Sequence, residues 1–319
     1  MNTNLFCVFL AVIISFSTVT RAQDEINKSM LNKNFDLAVK HSAEPQYWKM
    51  ESRMIIYALN GERTGENIFR LYLKCTPAQK GDTKGDKYTC LKFTVQLGND
   101  PEIEIPSLKN WSYFFGGSKP EGEGKNVVLG IDHSKFENLT DANGKPIPID
   151  KAYHVYNEFI DFHTMCNVFG DKTTEGKGIQ DLTEIGQKIV HVAAYSEPAV
   201  DLGSNIEKGS TFKNGKITLE FKGLSVVNNH PCALVEYDSG ESSFKMLMKT
   251  MPNMEIKTVG SSHYKGDIYK DLVSGWVQKA SLIEIVVSET ALPMPPNKVN
   301  YVIEREITIN NVDEKGINN

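Results

Sequence analysis

Side chains that could do chemistry are concentrated in the segment KAYHVYNEFIDFHTMCNVF, residues 151–169. His154, Glu158 and Asp161 are spaced by four and three residues, so in a helix they share one face. Imidazole and carboxylate groups on one face could bind a metal ion or act as a general acid and base. The H-E-x-x-H pattern of zinc hydrolases is absent, so a solvated polar face is the simpler interpretation and no metal site is expected.

His163 precedes Cys166 by three residues on the edge of the same helix. That spacing suggests a thiolate–imidazole pair, although a buried histidine beside an inert or disulfide-bonded cysteine is the simpler interpretation. The chain lacks G-x-S-x-G, a dinucleotide fingerprint, a P-loop and an EF-hand loop. No cofactor is therefore expected, and a catalytic function is not favoured.

Residues suited to an apolar ligand lie further along the chain. Met246 and Met248 belong to the run FKMLMKTMPNM, and flexible thioethers suit adaptable apolar pockets. Tyr264, in HYKGDIY, could line the mouth of a groove. Core packing is the simpler role for the methionines.

Two amphipathic helices are expected to position these groups. The first covers residues 151–169, with an apolar stripe of Ala152, Val155, Phe159, Phe162, Cys166 and Phe169. The second is expected in GIQDLTEIGQKIVHVAA, residues 178–194, where spacings of three and four recur at Ile179, Leu182, Gly186, Ile189 and Ala193.

Period-two alternation predicts strands on both sides of the helices. WKMESRMIIYAL, ENIFRLYLKC and YTCLKFTVQL precede them. KITLEFKG, a hairpin in VVNNHPCALVEYD, SSFKMLMKT, two long strands joined at 273–275, and VNYVIEREITI follow. The expected class is α+β: a curved antiparallel sheet, made of the C-terminal meander and the N-terminal hairpins, packed on two central helices.

The N-terminal residues indicate export. The apolar run from Leu5 to Phe16 is too short for a membrane span, which needs about 20 residues, and Thr20 and Ala22 fit a signal-peptidase site. We expect a signal peptide at 1–22, an N-terminal segment at 23–45, a single domain at 46–312 with a lobe boundary considered near 205, and a flexible tail at 313–319. The mature chain should have no transmembrane segment and should be secreted or periplasmic.

Composition and cysteine count narrow the partners. A net charge of −5 without a basic block argues against nucleic-acid binding. Four cysteines follow the signal peptide, and an even number in an exported chain suggests disulfides, with three full pairings open. Cys75 with Cys90 is the local candidate, although it needs a bulge to bring the sulfurs together, and Cys166 with Cys232 would be the second pair.

Three segments carry a resemblance: FKGLSVVNNHPCALVEYDSGESSFKM, GIQDLTEIGQKIVHVAAYSEPAVDLGSNI and SSHYKGDIYKDLVSGWVQKASL. They resemble a family of uncharacterised secreted bacterial proteins over roughly residues 126–310. This resemblance implies an exported protein but does not point to any particular activity. The series of long strands is similar in architecture to periplasmic proteins of the lipoprotein-carrier type, where a half-barrel covers helices and leaves an apolar groove.

The expected function is non-catalytic binding of a lipid, another hydrophobic small molecule or a partner in a groove of the sheet. Two alternatives stay open. One is a secreted hydrolase that uses the histidines, carboxylates or cysteine of the 151–169 helix. The other is a structural or adhesion component of the cell surface. The sequence leaves the oligomeric state undetermined.

Overall fold

One large antiparallel sheet dominates the fold. The computed structural model describes residues 33–38, 44–116, 126–173, 176–198, 200, 206–251 and 254–317. Strands account for 54% of the structure, and thirteen of the described strands form a single sheet. The protein is therefore mostly β, and the expectation of an α+β fold with two central helices is wrong. The expected signal peptide at 1–22 lies outside the described residues.

The strands and their order explain how the two ends of the chain meet. The strands are β1 (Gln46–Tyr57), β2 (Arg63–Lys80), β3 (Thr83–Leu97), β4 (Ile103–Glu104), β5 (Ser112–Phe115), β6 (Val127–Val128), β7 (Ile131–Asp132), β8 (Lys188–Val190), β9 (Thr211–Lys213), β10 (Thr218–Val227), β11 (His230–Asp238), β12 (Ser242–Met251), β13 (Met254–Asp271), β14 (Val277–Ala291) and β15 (Lys298–Val312). The main sheet runs β4-β3-β2-β1-β15-β14-β13-β11-β10-β8, while β6 pairs only with β7. Because β1 pairs with β15 from Tyr47↔Val312 to Tyr57↔Val302, the N-terminal hairpins and the C-terminal strands belong to one sheet.

The C-terminal strands follow the predicted alternation, but on one of its sides β13 pairs with two strands, β12 and β11, instead of with one. Asn228 and Asn229 both have positive φ between β10 and β11, as a two-residue hairpin turn requires, which confirms the predicted hairpin. β13 is long enough to pair with two strands on the same side. Its residues 254–262 pair with β12, and its residues 265–271 pair with β11.

The described residues contain one α-helix, α1 (Ile149–His163), which continues into a π-helical turn (Thr164–Val168). The predicted apolar stripe is buried throughout. Phe159 stacks on Phe93 of β3, and Phe162 meets Trp48 of β1 edge to face. Short 3-10 helices occur at Pro106–Leu108, His133–Phe136 and Ile179–Asp181.

The second predicted helix, over 178–194, is absent. Its residues form the 3-10 turn Ile179–Asp181, a loop and β8, which pairs with β10. Gly186 has a φ of +89°, which a right-handed helix cannot accommodate. The side-chain carbonyl of Gln187 accepts hydrogen bonds from the backbone of Thr183 and Glu184 and so holds the loop. The helical spacing arose because Ile179, Leu182 and Ile189 all reach the core.

Helix α1 covers only part of the inner face of the sheet, by which we mean the face on which it packs. His154 contacts Phe69, which pairs with Ser52, whereas Phe162 contacts Trp48. The helix therefore runs alongside β1 from the level of Ser52 to that of Trp48. The start of β13, the end of β14 and the start of β15 extend beyond the N-terminal end of α1. The helix does not cover the inner face of these parts of the strands.

Candidate functional site

A cavity of about 770 Å³ lies where the strands extend past α1. Its volume falls in the range typical of small-molecule sites, roughly 300–1,000 Å³. Lys151, Ala152 and Tyr153 of the first turn of α1 border it on one side. The opposite wall is mainly apolar and includes Met54, Ile56, Met246, Met248, Val286 and Ile303.

The same strands serve first the core and then the cavity. Along β14 the inner-face residues Ala280 and Leu282 are buried beneath the helix, whereas Glu284, Val286 and Ser288 are only half-buried. The alternation is unbroken across this boundary. The cavity exists because the N-terminal end of helix α1 lies at this point, whereas the alternation of the strands continues.

The wall of the cavity changes in polarity along the strands. Ser262, Val286, Ile303 and Ile56 form one row across four strands, and this row is mostly apolar. The row toward α1 contributes Glu284, Arg305 and Met54 to the wall. In the other direction lie hydroxyl groups, among them Thr258 and Thr290, which share a hydrogen bond of 2.9 Å. An ionic end, an apolar middle and a hydroxyl-lined end follow one another.

Arg305 is the centre of the ionic end. Its guanidinium donates to Glu284 at 2.7 Å, forms a short contact with Asp161, and lies 3.6 Å from Glu158. Its side chain is 11% exposed. The three carboxylates together hold the pKa of Arg305 well above its ordinary value, against the opposing effect of burial.

Glu158 is the least favourably placed of the three carboxylates. It is 2% exposed, and among the described residues its Oε2 has no hydrogen-bond partner. Its pKa is raised to about 8, mainly by burial; the neighbouring Asp161 also raises it, whereas Arg305 and Ser52 lower it. Arg305 cannot neutralise all three acids, so the cluster retains a proton on Glu158 at neutral pH.

Two further polar side chains on the cavity wall have buried atoms without a partner in the described part of the chain. They are the hydroxyl of Ser262 and both ring nitrogens of His133. Burial lowers the pKa of His133. Buried polar groups are nearly always hydrogen-bonded, so these unpaired groups are positions on the wall at which a ligand could form hydrogen bonds.

The residues proposed for an apolar ligand separate into two groups. Met246 and Met248 lie on the cavity wall, on the inner face of β12. Tyr264 is not on the wall, because its ring packs against Tyr237 and its hydroxyl donates to Asn214 at 3.5 Å. It belongs to the packing behind the ionic end.

The residues proposed for catalysis are not brought together. His154 borders the cavity, whereas Glu158 and Asp161 are engaged with Arg305. Glu158 is buried and Asp161 is half-buried beside Arg305 of β15, so this face is not the solvated face expected from the sequence. No group of three metal-binding side chains occurs among the residues that the structure describes.

His163 is fully buried away from the cavity. Its Nδ1 donates to Asn167 Oδ1 and its Nε2 accepts from the hydroxyl of Tyr113, both at 2.7 Å. Burial lowers its pKa to about 4, so the ring is neutral near pH 7. With both nitrogens engaged, the histidine has no free nitrogen to activate Cys166, and burial raises the pKa of that thiol.

The four described cysteines are free and buried, so neither expected disulfide is present. The predicted bulge between β2 and β3 exists, at Tyr72 and Leu73, and it places Cys75 and Cys90 on the same face. However, Cys75 pairs with Tyr88 and Cys90 with Leu73, so the cysteines are diagonal neighbours. Diagonal positions are about 7–8 Å apart, beyond the usual Cα separation of a disulfide.

Sequence reasoning missed Arg305 and Glu284, the partners that give Glu158 and Asp161 their role. A signal was present, because Arg305 interrupts the inner-face series Tyr301, Ile303, Ile307 and Ile309 of β15.

No family model and no curated protein sequence matches the chain significantly. No helix among the described residues is both long and apolar enough to cross a membrane.

Proposed function

We propose that the protein is an exported carrier or receptor that binds a hydrophobic small molecule or lipid in the cavity beside α1. One observation carries this proposal: apolar side chains on the inner face of β12, β14, β15 and β1 remain half-exposed around a space of about 770 Å³. Filling such a space with an apolar ligand would remove this surface from water, which stabilises the complex by roughly 25 cal/mol per Å².

The adaptability of the wall supports a ligand with a long hydrocarbon part. Met54 on β1 and Met246 and Met248 on β12 supply unbranched, polarisable side chains to the wall. Methionines adjust to irregular ligands at little conformational cost. The export part of the proposal rests on the apolar run at Leu5 to Phe16 and its cleavage site.

The cavity offers a matched pair of variants for the test. Val286 lies on the cavity wall, whereas the next residue, Val287, points to the opposite face and is 47% exposed. Val286→Trp fills the apolar row, and Val287→Trp adds the same ring to the outer surface. The readout is the affinity for N-phenyl-1-naphthylamine, a neutral apolar dye that fluoresces when it leaves water.

We expect the wild-type protein and Val287→Trp to bind the dye with affinities within about twofold of each other. Val286→Trp should bind it at least about tenfold more weakly, because the new ring fills the space that the dye needs. A tenfold loss of affinity corresponds to about 1.4 kcal/mol. Thermal unfolding of both variants checks that they are folded. Absence of dye binding to the wild-type protein, or equal binding by the two variants, would refute the proposal.

A further inference from the structure

The ionic end of the cavity has an excess of negative charge. Asp161, Glu284 and the protonated Glu158 surround Arg305, so two carboxylates face one guanidinium. Glu284 and Arg305 both line the cavity. An anionic ligand group at this end would compete with the carboxylates of Asp161 and Glu284 for one cation, and a positively charged group would offset the excess charge.

Ser262 is a second, independent indication of a ligand group at this place. It lines the cavity, is 4% exposed, and its hydroxyl has no partner among the described residues. Ser262 lies diagonally opposite Glu284, because Glu284 pairs with Tyr264, two residues further along β13 on the same face. Diagonal neighbours are about 7–8 Å apart, so one polar group between them can reach both side chains.

We propose that the ligand of the cavity is a cationic amphiphile whose protonated amine lies between Glu284 and Ser262. The ammonium group would donate hydrogen bonds to the carboxylate and to the serine hydroxyl, and the hydrocarbon part would lie along Val286, Ile303 and Met246. Hydrogen bonds to a charged partner are stronger than those between neutral groups. This inference rests on the proposed function and specifies the class of ligand.

The first turn of α1 defines the competing outcome. Lys151 borders the cavity near the start of the helix, where the helix dipole favours negative charge. A carboxylate head group bound there would place the ligand in the opposite orientation. Lys151 already has an interaction within the chain, whereas the Ser262 hydroxyl has no partner in the described structure.

Three ligands that each contain twelve carbon atoms and differ in their head group separate these outcomes without any variant. Dodecylamine, dodecan-1-ol and dodecanoate are each titrated at neutral pH, below their micelle concentrations, against protein loaded with N-phenyl-1-naphthylamine. From the displacement of the dye, we expect dodecylamine to bind about tenfold more tightly than dodecan-1-ol. Dodecanoate should bind most weakly of the three. Equal or tighter binding of dodecanoate or dodecan-1-ol overturns the inference.

Two glutamates on β14 provide the matched variants. Glu284 lines the cavity, whereas Glu289 lies on the opposite face and pairs with Lys298 at 2.9 Å. Glu284→Gln should reduce the amine-to-alcohol preference from about tenfold to near one, and Glu284→Asp should retain most of it. Glu289→Gln should leave the preference unchanged. An unchanged preference in Glu284→Gln overturns the assignment of the amine to Glu284.

The outcomes also separate this inference from the proposed function. If neither the dye nor any of the twelve-carbon ligands binds, the proposed function fails. If the dye and dodecan-1-ol bind but the amine has no advantage, only the charge of the ligand is wrong.

Discussion

Glu158→Gln tests the electrostatics of the ionic end in the absence of any ligand. Glu158 is surrounded by Asp161 on its own helix, Glu284 on β14 and Arg305 on β15, with Tyr153 of α1 also close to the cluster. Glutamine has nearly the same size and cannot ionise. The variant therefore removes one titration and leaves the packing of α1 in place.

The sign and size of the effect follow from the pKa of Glu158. Burial raises this pKa from 4.5 in the unfolded chain to about 8 in the folded protein. Between these values the folded protein retains a proton that the unfolded chain has lost, so the free energy of unfolding falls as the pH rises. The slope is at most about 1.4 kcal/mol per pH unit, and the full shift corresponds to about 5 kcal/mol as an upper bound.

Urea denaturation at a series of pH values between 4.5 and 9 measures this effect. Trp48 is a suitable fluorescent reporter, since it is buried against Phe162 and Trp276. Glu158→Gln should match the wild type near pH 4.5 and exceed it in stability above pH 8, with a flatter dependence between. The exposed Glu289→Gln serves as the control. Parallel curves for the wild type and Glu158→Gln would show that Glu158 is ionised in the folded protein and refute the reasoning.

Three further predictions concern the framework. Phe159→Ala should destabilise the protein by about 3–5 kcal/mol in urea denaturation, because its ring packs on Phe93, Trp111 and Phe136; a loss below about 1 kcal/mol would contradict the described core. Gly266→Ala should destabilise it by about 1–3 kcal/mol, since a Cβ there would overlap the carbonyl oxygen of Ser281, and an unchanged melting temperature would show that the strands separate readily. Thiol titration without reductant should find the four described cysteines unreactive in the folded protein and fully reactive after unfolding. They are Cys75, Cys90, Cys166 and Cys232. Fewer reactive thiols after unfolding would reveal a disulfide.

Much of the sheet could be predicted because alternation is a local property. Residues 218–221 of β10 and 233–238 of β11 alternate between half-buried and buried positions, and two asparagines mark the turn between the strands. The second helix failed because periodicity records which residues reach the core and not the path of the chain between them. Ile179, Leu182 and Ile189 reach it from a turn and a strand.

The candidate site was beyond local reasoning for a different reason. Asp161 and Arg305 are 144 residues apart in the chain and meet only because β15 pairs with β1 and α1 packs alongside. Alternation identifies Met246 as an inner-face residue but cannot say whether a helix covers that face. A prediction of the cavity requires the length of α1 relative to the strands, which no local pattern contains.

The ionic cluster lies at the boundary between the packed core and the cavity, because Glu284 and Arg305 line the cavity whereas Glu158 is buried. Arg305 of β15 contacts Glu158 and Asp161 of α1 and Glu284 of β14, so one side chain links the helix to both strands. Replacing Arg305 with methionine would therefore do more than remove a charge. It would release the contact that holds α1 in place, and we expect both a loss of stability and a change in the affinity of the cavity for the dye.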